Sequence, residues 1–359
     1  MNALRKRSFE SAQNLVGRYG VDAILVTSLS TVRYLSGFSG SDGVVLQGGD
    51  AGWFLTDGRY TSQAALEVSD YSIVEYRRKF EDLGELISNQ HFRKVGFEAD
   101  SLTVAQFRQL EEALPDIELV PVDNDFQNIR ICKDPSEITL LTRVAELASA
   151  SLMKTLGMIA PGVRERDVAL ALESAMRTAG AEDKSFDTIV ASGQRGALPH
   201  GKATDKEIAA GELVTIDFGA VLQGYHSDET VTIAVGTPDA QQRKIHDIVK
   251  EAHDRALAAV KPGVPLKELD RIARSYIEVQ GYGDYFGHGL GHGVGLDVHE
   301  PPTVSWRGDL VAEEGMVFTI EPGIYIPGWG GVRIEDTIVV TSDGCSILTT
   351  VPKELKSLH

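Results

Sequence analysis

The sequence predicts an α/β (α+β) protein of two domains, residues 1–130 and 131–359, the second made of two similar halves that each run from a helix into a β-hairpin. Three observations carry this expectation. Short apolar or β-branched runs alternate with helical stretches through the first part. The polar stretch NIRICKDP, from Asn128 to Pro135, then interrupts the pattern ahead of a long helical period. Beyond it, the turn at Pro161-Gly162-Val163 returns at Pro262-Gly263-Val264, each time before a further helix.

Taken in order, residues 4–19 place apolar side chains at roughly helical spacing until Gly20 stops them. The runs VDAILV (21–26), GVVLQ (43–47), GWFLT (52–56), YSIVEY (71–76) and KVGFE (94–98) are bounded by Gly, Asp and Ser, which is the grammar of strands. After the boundary, Ile138, Leu141, Val144, Ala145, Ala148, Leu152 and Leu156 recur at three- and four-residue steps, with Ser136 as the expected N-cap. The repeated turns introduce helices at 164–178 and 265–279. Hairpin-like β runs follow at 213–235 and 316–340. Asp217 and Asp228 fall in the first pair of runs, Glu321 and Glu335 in the second, so a pseudo-twofold arrangement would bring four carboxylates to its axis.

Composition narrows the function classes. Charged residues at 24% and hydrophobic ones at 42% are the balance of an ordinary globular protein. A formal charge of −17 argues against nucleic acid or an anionic membrane as partner. No segment approaches the ~18 consecutive apolar residues of a membrane span, and the basic N-terminus lacks a signal-peptide apolar run. Neither Cys132 nor Cys345 sits in a CxxC pair, so a reduced, cytoplasmic setting is expected.

Five residues then stand out as metal ligands: Asp217, Asp228, His292, Glu321 and Glu335. Taken singly, each acid would more often be a solvated strand residue. An acid inside so apolar a run as VTIDFG is nevertheless costly to bury unless neutralised. Four carboxylates balance two divalent cations, and oxygen-rich donors with one imidazole suit hard to borderline ions. The segment FGHGLGHGVGLDVHEPP holds His288, His292 and His299, three of nine histidines, with glycine at 287, 289, 291, 293 and 295. Those glycines are expected to let backbone approach a metal or substrate closely. Their spacing does not fit the GxGxxG of a dinucleotide loop. The reaction class expected is two-metal hydrolysis.

Considered jointly, these segments resemble the pita-bread metallopeptidase family, which includes methionine aminopeptidase, Xaa-Pro aminopeptidase, prolidase and creatinase. The resemblance covers the C-terminal domain from about Ser136, with all five ligand positions filled in the family's order. VRYLSGFSGSDGVVL and FLTDGRYTSQA resemble the creatinase-like amino-terminal domain of Xaa-Pro aminopeptidases. It implies a C-terminal pita-bread domain binding two divalent ions, Mn²⁺ foremost, with Co²⁺, Zn²⁺ or Fe²⁺ tolerated. Asp217 would chelate one metal, Asp228 and Glu335 would bridge the pair, and His292 and Glu321 would complete the second. A hydroxide between the ions would attack, and Glu321 would carry its proton to the leaving nitrogen. His200 and His299 match positions that contact substrate and stabilise the tetrahedral intermediate, while His288 and Arg333 would support the site and bind substrate, Arg333 by pairing with a ligand or substrate carboxylate. The partners implied are proline-containing peptides and a second copy of the chain in a homodimer.

The amino-terminal domain disfavours methionine aminopeptidase, and the retained ligands disfavour creatinase, which works without metal. TDGRY tilts the expectation toward Xaa-Pro aminopeptidase. The alternative is Xaa-Pro dipeptidase, because Arg307, fourteen residues before Glu321, resembles in spacing the prolidase arginine suited to a free carboxylate. A non-catalytic binding protein on the same scaffold is the rival from another class, separable by metal content.

Overall fold

A computed structural model describes residues 3–123 and 125–358, with side chains from Arg7 onward. The chain divides into two compact units, Met1–Arg130 and Ile131–His359.

The first unit is organised around a mixed six-stranded sheet. Its strands are β1 (Ala23–Val26), β2 (Val44–Gly48), β3 (Gly52–Asp57), β4 (Ser72–Tyr76), β5 (Lys94–Glu98) and β6 (Glu118–Val122), in the order β4-β3-β2-β1-β5-β6. β2 runs antiparallel to β1 and β3, and the remaining neighbours are parallel. Ala23 and Leu25 of β1 lie in one core with Leu83 and Ile87 of the helix Lys79–Asn89 and Leu110 of the helix Val104–Ala113. Fully burying each such Leu or Ile contributes roughly 1.5–3 kcal/mol. The first five strands fall where the apolar runs placed them. β6 escapes the pattern because it contains Pro121, and it tolerates proline as the edge of the sheet.

The second unit opens with the helix Pro135–Thr155. Its N-cap is Asp134, not the Ser136 expected. The Asp134 carboxylate accepts from the N–H groups of Ser136 at 2.7 Å and Glu137 at 3.0 Å, and Glu137 returns a bond to the Asp134 N–H. Pro135 then takes the first helical position, where its missing N–H costs nothing.

The two halves of this unit repeat one another in backbone detail. Gly162 and Gly263 have φ of +88° and +87°. The Gly162 N–H donates to Ile208 O and the Gly263 N–H to Ala312 O, each at 2.9 Å. The N–H of Ile208 returns to Val163 O, as that of Ala312 does to Val264 O. Each turn leads into a 14-residue helix, Glu165–Thr178 and Leu266–Val279. Behind the first helix lies a four-stranded sheet that includes Ile189–Ser192, Leu213–Phe218 and Glu229–Val235; behind the second, a five-stranded sheet that includes Gly291–Gly293, Val317–Ile320 and Asp336–Val340. An isolated bridge between Thr230 and Glu335 joins the two halves. Among the described residues, no helix is long and apolar enough to cross a membrane.

Candidate metal centre and active cleft

Period-two alternation decides which side chains reach the site. On Leu213–Phe218, the side chains of Val214, Ile216 and Phe218 enter one core, so Asp217 turns to the other face with Thr215. In the second half Phe318 and Ile320 enter the other core, which sends Thr319 and Glu321 the opposite way. The same rule leaves Asp228 with Thr230, and Arg333 with Glu335. The adjoining Glu229 and Asp336 are held on the opposite faces of these chains by Lys353, whose buried ammonium pairs with both.

The four carboxylates and His292 converge. His292 Nε2 lies 3.6 Å from Asp228 Oδ2 and 3.4 Å from Glu321 Oε1. Potential ligand atoms of Asp228, His292 and Glu335 all lie within 4.8 Å of one another. His292 Nδ1 stands 3.1 Å from the Gly293 carbonyl, which can only accept, so the ring proton sits on Nδ1 and Nε2 presents its lone pair to the acids. Glu335 Oε2 accepts from Thr230 Oγ1 at 2.6 Å. Asp217 Oδ2 accepts from Arg333 Nη2, while Asp217 Oδ1 is buried with no hydrogen-bond partner.

Such a cluster is electrostatically incomplete without cations. Burial, followed by the neighbouring Glu335, raises the Asp228 carboxyl well above its ordinary range. Burial and Glu321 do the same to Glu335, and burial pushes Glu321 up to about 8. Burial lowers His292 to about 4, leaving it neutral and able to ligate. Hard carboxylate oxygens, one imidazole lone pair and the orphaned Asp217 oxygen together fit divalent cations.

The cleft around this cluster measures about 770 Å³, and its walls carry all ten residues singled out from the sequence: the five candidate ligands with His200, His288, His299, Arg307 and Arg333. His200, His299 and Arg307 are exposed. His288 is neutral, lowered by burial to about 4, and its Nε2 lies 3.0 Å from Tyr325 Oη, which itself accepts from Arg333 Nη1 at 2.9 Å. Tyr325, Thr230 and Thr319 were not anticipated. Thr230 and Thr319 each stand two residues from a candidate ligand, so the period-two rule applied to Asp228 and Glu321 would have found them, whereas Tyr325 lies in a separate strand beyond Pro322 and carried no such signal. The glycine-rich run lines the cleft at Gly289 and Gly291 and also packs tightly on neighbouring backbone. A Cβ at Gly291 would meet Thr319 O at 1.9 Å and one at Gly293 would meet Pro301 O at 2.2 Å, so these glycines admit neighbouring backbone. Gly287 faces open space.

Comparison with known proteins shows the family to which the chain belongs. Residues 139–342 match the model of metallopeptidase family M24, and residues 9–132 match the creatinase/prolidase N-terminal domain. An Xaa-Pro dipeptidase of Pyrococcus furiosus is 42% identical over 98% of this chain and 99% of its own. Among solved structures, an Xaa-Pro dipeptidase from Bacillus anthracis superposes with a TM-score of 0.96 at 43% identity, covering 99% of this chain and 100% of the other. An X-Pro aminopeptidase from Thermotoga maritima gives 0.90 at 38%, covering 97% and 99%. The chain belongs to metallopeptidase family M24. It is a hydrolase with a creatinase-like amino-terminal domain and a pita-bread domain, and membership of this family carries divalent metal ions with it.

Proposed function

We propose that this protein is an Xaa-Pro dipeptidase that uses two divalent metal ions, manganese foremost. The observation that carries the peptidase chemistry is the convergence of four carboxylates and the neutral His292 in one cleft, with an Asp217 oxygen left unpartnered. The choice of dipeptidase over the aminopeptidase expected from TDGRY rests on full-length similarity to proteins named Xaa-Pro dipeptidase. The Arg59 guanidinium of that motif is exposed and pairs with Asp57 two residues away, at 2.7 Å. Arg307, by contrast, lines the cleft with its guanidinium carbon 5.5 Å from the Trp306 ring.

In this reading Asp217, Asp228, His292, Glu321 and Glu335 hold the metals. When bound, the cations supply Lewis acidity that makes water acidic enough to attack near neutral pH and polarises the scissile carbonyl. Glu321, ionised once the cations are bound and facing the cleft beside His292, takes the proton of the attacking water and delivers it to the proline nitrogen. His200 and His299, exposed on the cleft wall, donate hydrogen bonds to the developing oxyanion. His288 and Arg333 stay locked through Tyr325 and give the wall its shape. Arg307 pairs with the free proline carboxylate, a contact that a longer peptide would not offer.

The test is Arg307→Ala assayed on an Xaa-Pro dipeptide and an Xaa-Pro-Xaa tripeptide. Loss of one charge-assisted pair should raise KM for the dipeptide roughly tenfold or more and leave the tripeptide unchanged. Equal effects on both substrates would count against a carboxylate-reading role. A homodimer and a cytoplasmic setting belong to the same reading, and light scattering of the purified protein tests the former.

A further inference from the structure

The loop that carries His200 has no hydrophobic anchor at its tip. Leu198 is exposed, and the His200 ring is exposed and makes no hydrogen bond of its own among the described residues. The ring's position is therefore inherited from the loop backbone, which has to be held from elsewhere.

Both ends of that loop meet at one side chain. Glu165, the first residue of the helix Glu165–Thr178, is fully buried. Its Oε1 accepts from the Ser192 N–H and Ser192 Oγ, each at 2.8 Å. Its Oε2 accepts from the Thr204 N–H at 3.1 Å, from Thr204 Oγ1 at 2.8 Å and from Arg195 Nη1. Arg195 extends the tie inward, its Nη2 donating to Lys202 O at 2.7 Å. From the other side Arg333 Nη1 donates at 3.1 Å to the carbonyl of Pro199, which directly precedes His200. The loop is pressed onto the strand Gly330–Arg333 there, since a Cβ on Gly196 would stand 2.9 Å from Gly331 N.

We propose that Glu165 is a positioning residue for the hydrolysis: its carboxylate closes the Ser192–Thr204 loop and so fixes where His200 meets the substrate. An ionised carboxylate is the group that suits five converging donors, because it offers about four lone-pair sites and no competing N–H. Glutamine would keep the Ser192 contacts through its oxygen and turn an NH₂ toward the donors of Thr204 and Arg195. The Thr204 N–H and hydroxyl would lose their acceptor and the loop would loosen there, while the Arg166 N–H still holds Thr204 O and the fold keeps its apolar core. The inference rests on the role given above to His200.

The experiment compares Glu165→Gln, Thr204→Val, His200→Ala and the Glu165→Gln/His200→Ala double variant, all metal-loaded, in steady-state kinetics. Hydrogen exchange of the 193–203 amides is measured alongside. Thr204→Val removes a single donor and serves should the glutamine variant fold poorly. Glu165→Gln is expected to lose amide protection in the loop and to bind metal normally. Its kcat should fall by roughly tenfold or more, within the ~100-fold loss expected for removing His200, with KM little changed. Thr204→Val should show a smaller loss of the same kind. The double variant should match His200→Ala, because two residues acting through one ring are not additive. Unchanged loop exchange, or a double variant that multiplies the two losses, would overturn the positioning role. Wild-type turnover in His200→Ala would instead remove the reading of His200 itself, and the role of Glu165 with it.

Discussion

Stripping the metals should destabilise the protein in a manner that grows with pH. Ions that bind only the folded chain add RT ln(1 + [L]/Kd), about 2.7 kcal/mol with free metal 100-fold above Kd. For a unit of the size of Ile131–His359, that corresponds to roughly 5–10 °C in Tm. The pH term follows from the crowded carboxylates. Without cations, burial holds the Glu321 carboxyl near 8, against an ordinary value of 4.5, and raises Asp228 and Glu335 as well. Between those values the unfolded chain has released the proton that the folded chain still binds. Stability of the metal-free protein therefore falls as pH rises from about 4.5 to about 8 through Glu321, at about 1.4 kcal/mol per pH unit, and the raised Asp228 and Glu335 act in the same direction. With metal bound the carboxylates are already ionised, so the loaded protein should change little over the window. Scanning calorimetry at pH 5, 6, 7 and 8, with chelator and then with Mn²⁺ restored, should show two curves that separate as pH rises. Superimposable melts at every pH, with metal saturation shown independently, would mean that the carboxylates do not converge as described.

Further outcomes follow from the same geometry. Asp217→Asn and Glu335→Gln should abolish hydrolysis by impairing metal occupancy, which metal analysis of the purified variants will decide. His200→Ala and His299→Ala should keep normal metal content yet lose at least ~100-fold in turnover, the effect of deleting one oxyanion donor. Lys353→Met should leave the buried Glu229 without its cationic partner and Asp336 with His253 alone as such a partner, and cost about 3–5 kcal/mol in a urea melt. An unchanged midpoint would show that those charges are balanced elsewhere.

What was legible in the sequence had a local physical cause. The first five strands of the amino-terminal sheet show as apolar runs between turn residues, and the repeated Pro-Gly-Val turns lead into equivalent backbone hydrogen bonds in the two halves. Candidate ligands stood out because acids in apolar strands need a reason to be there. Other features depend on partners distant in sequence. β6 hides behind Pro121, which an edge position permits. Asp134 outcompeted Ser136 as a cap because the proline between them already occupied the first helical position. Glu165 carries no local signal beyond being an acid in the first turn of a helix, and only the folded chain brings Ser192 and Thr204 to it. TDGRY carries less weight than the full-length similarity, because a short motif reports on one loop and not on the substrate's carboxyl end.

The central claim is that this cleft is a metal-dependent site reading an Xaa-Pro unit with a free carboxylate. The most direct measurement is hydrolysis by metal-stripped protein, before and after Mn²⁺ is restored, with an Xaa-Pro dipeptide and an Xaa-Pro-Xaa tripeptide side by side. Activity should appear only with metal, and kcat/KM for the dipeptide should exceed that for the tripeptide by roughly tenfold or more, the value of one charge-assisted pair. Preferential cleavage of the tripeptide would return the protein to the aminopeptidases, and metal-loaded protein that cleaves neither would contradict the account.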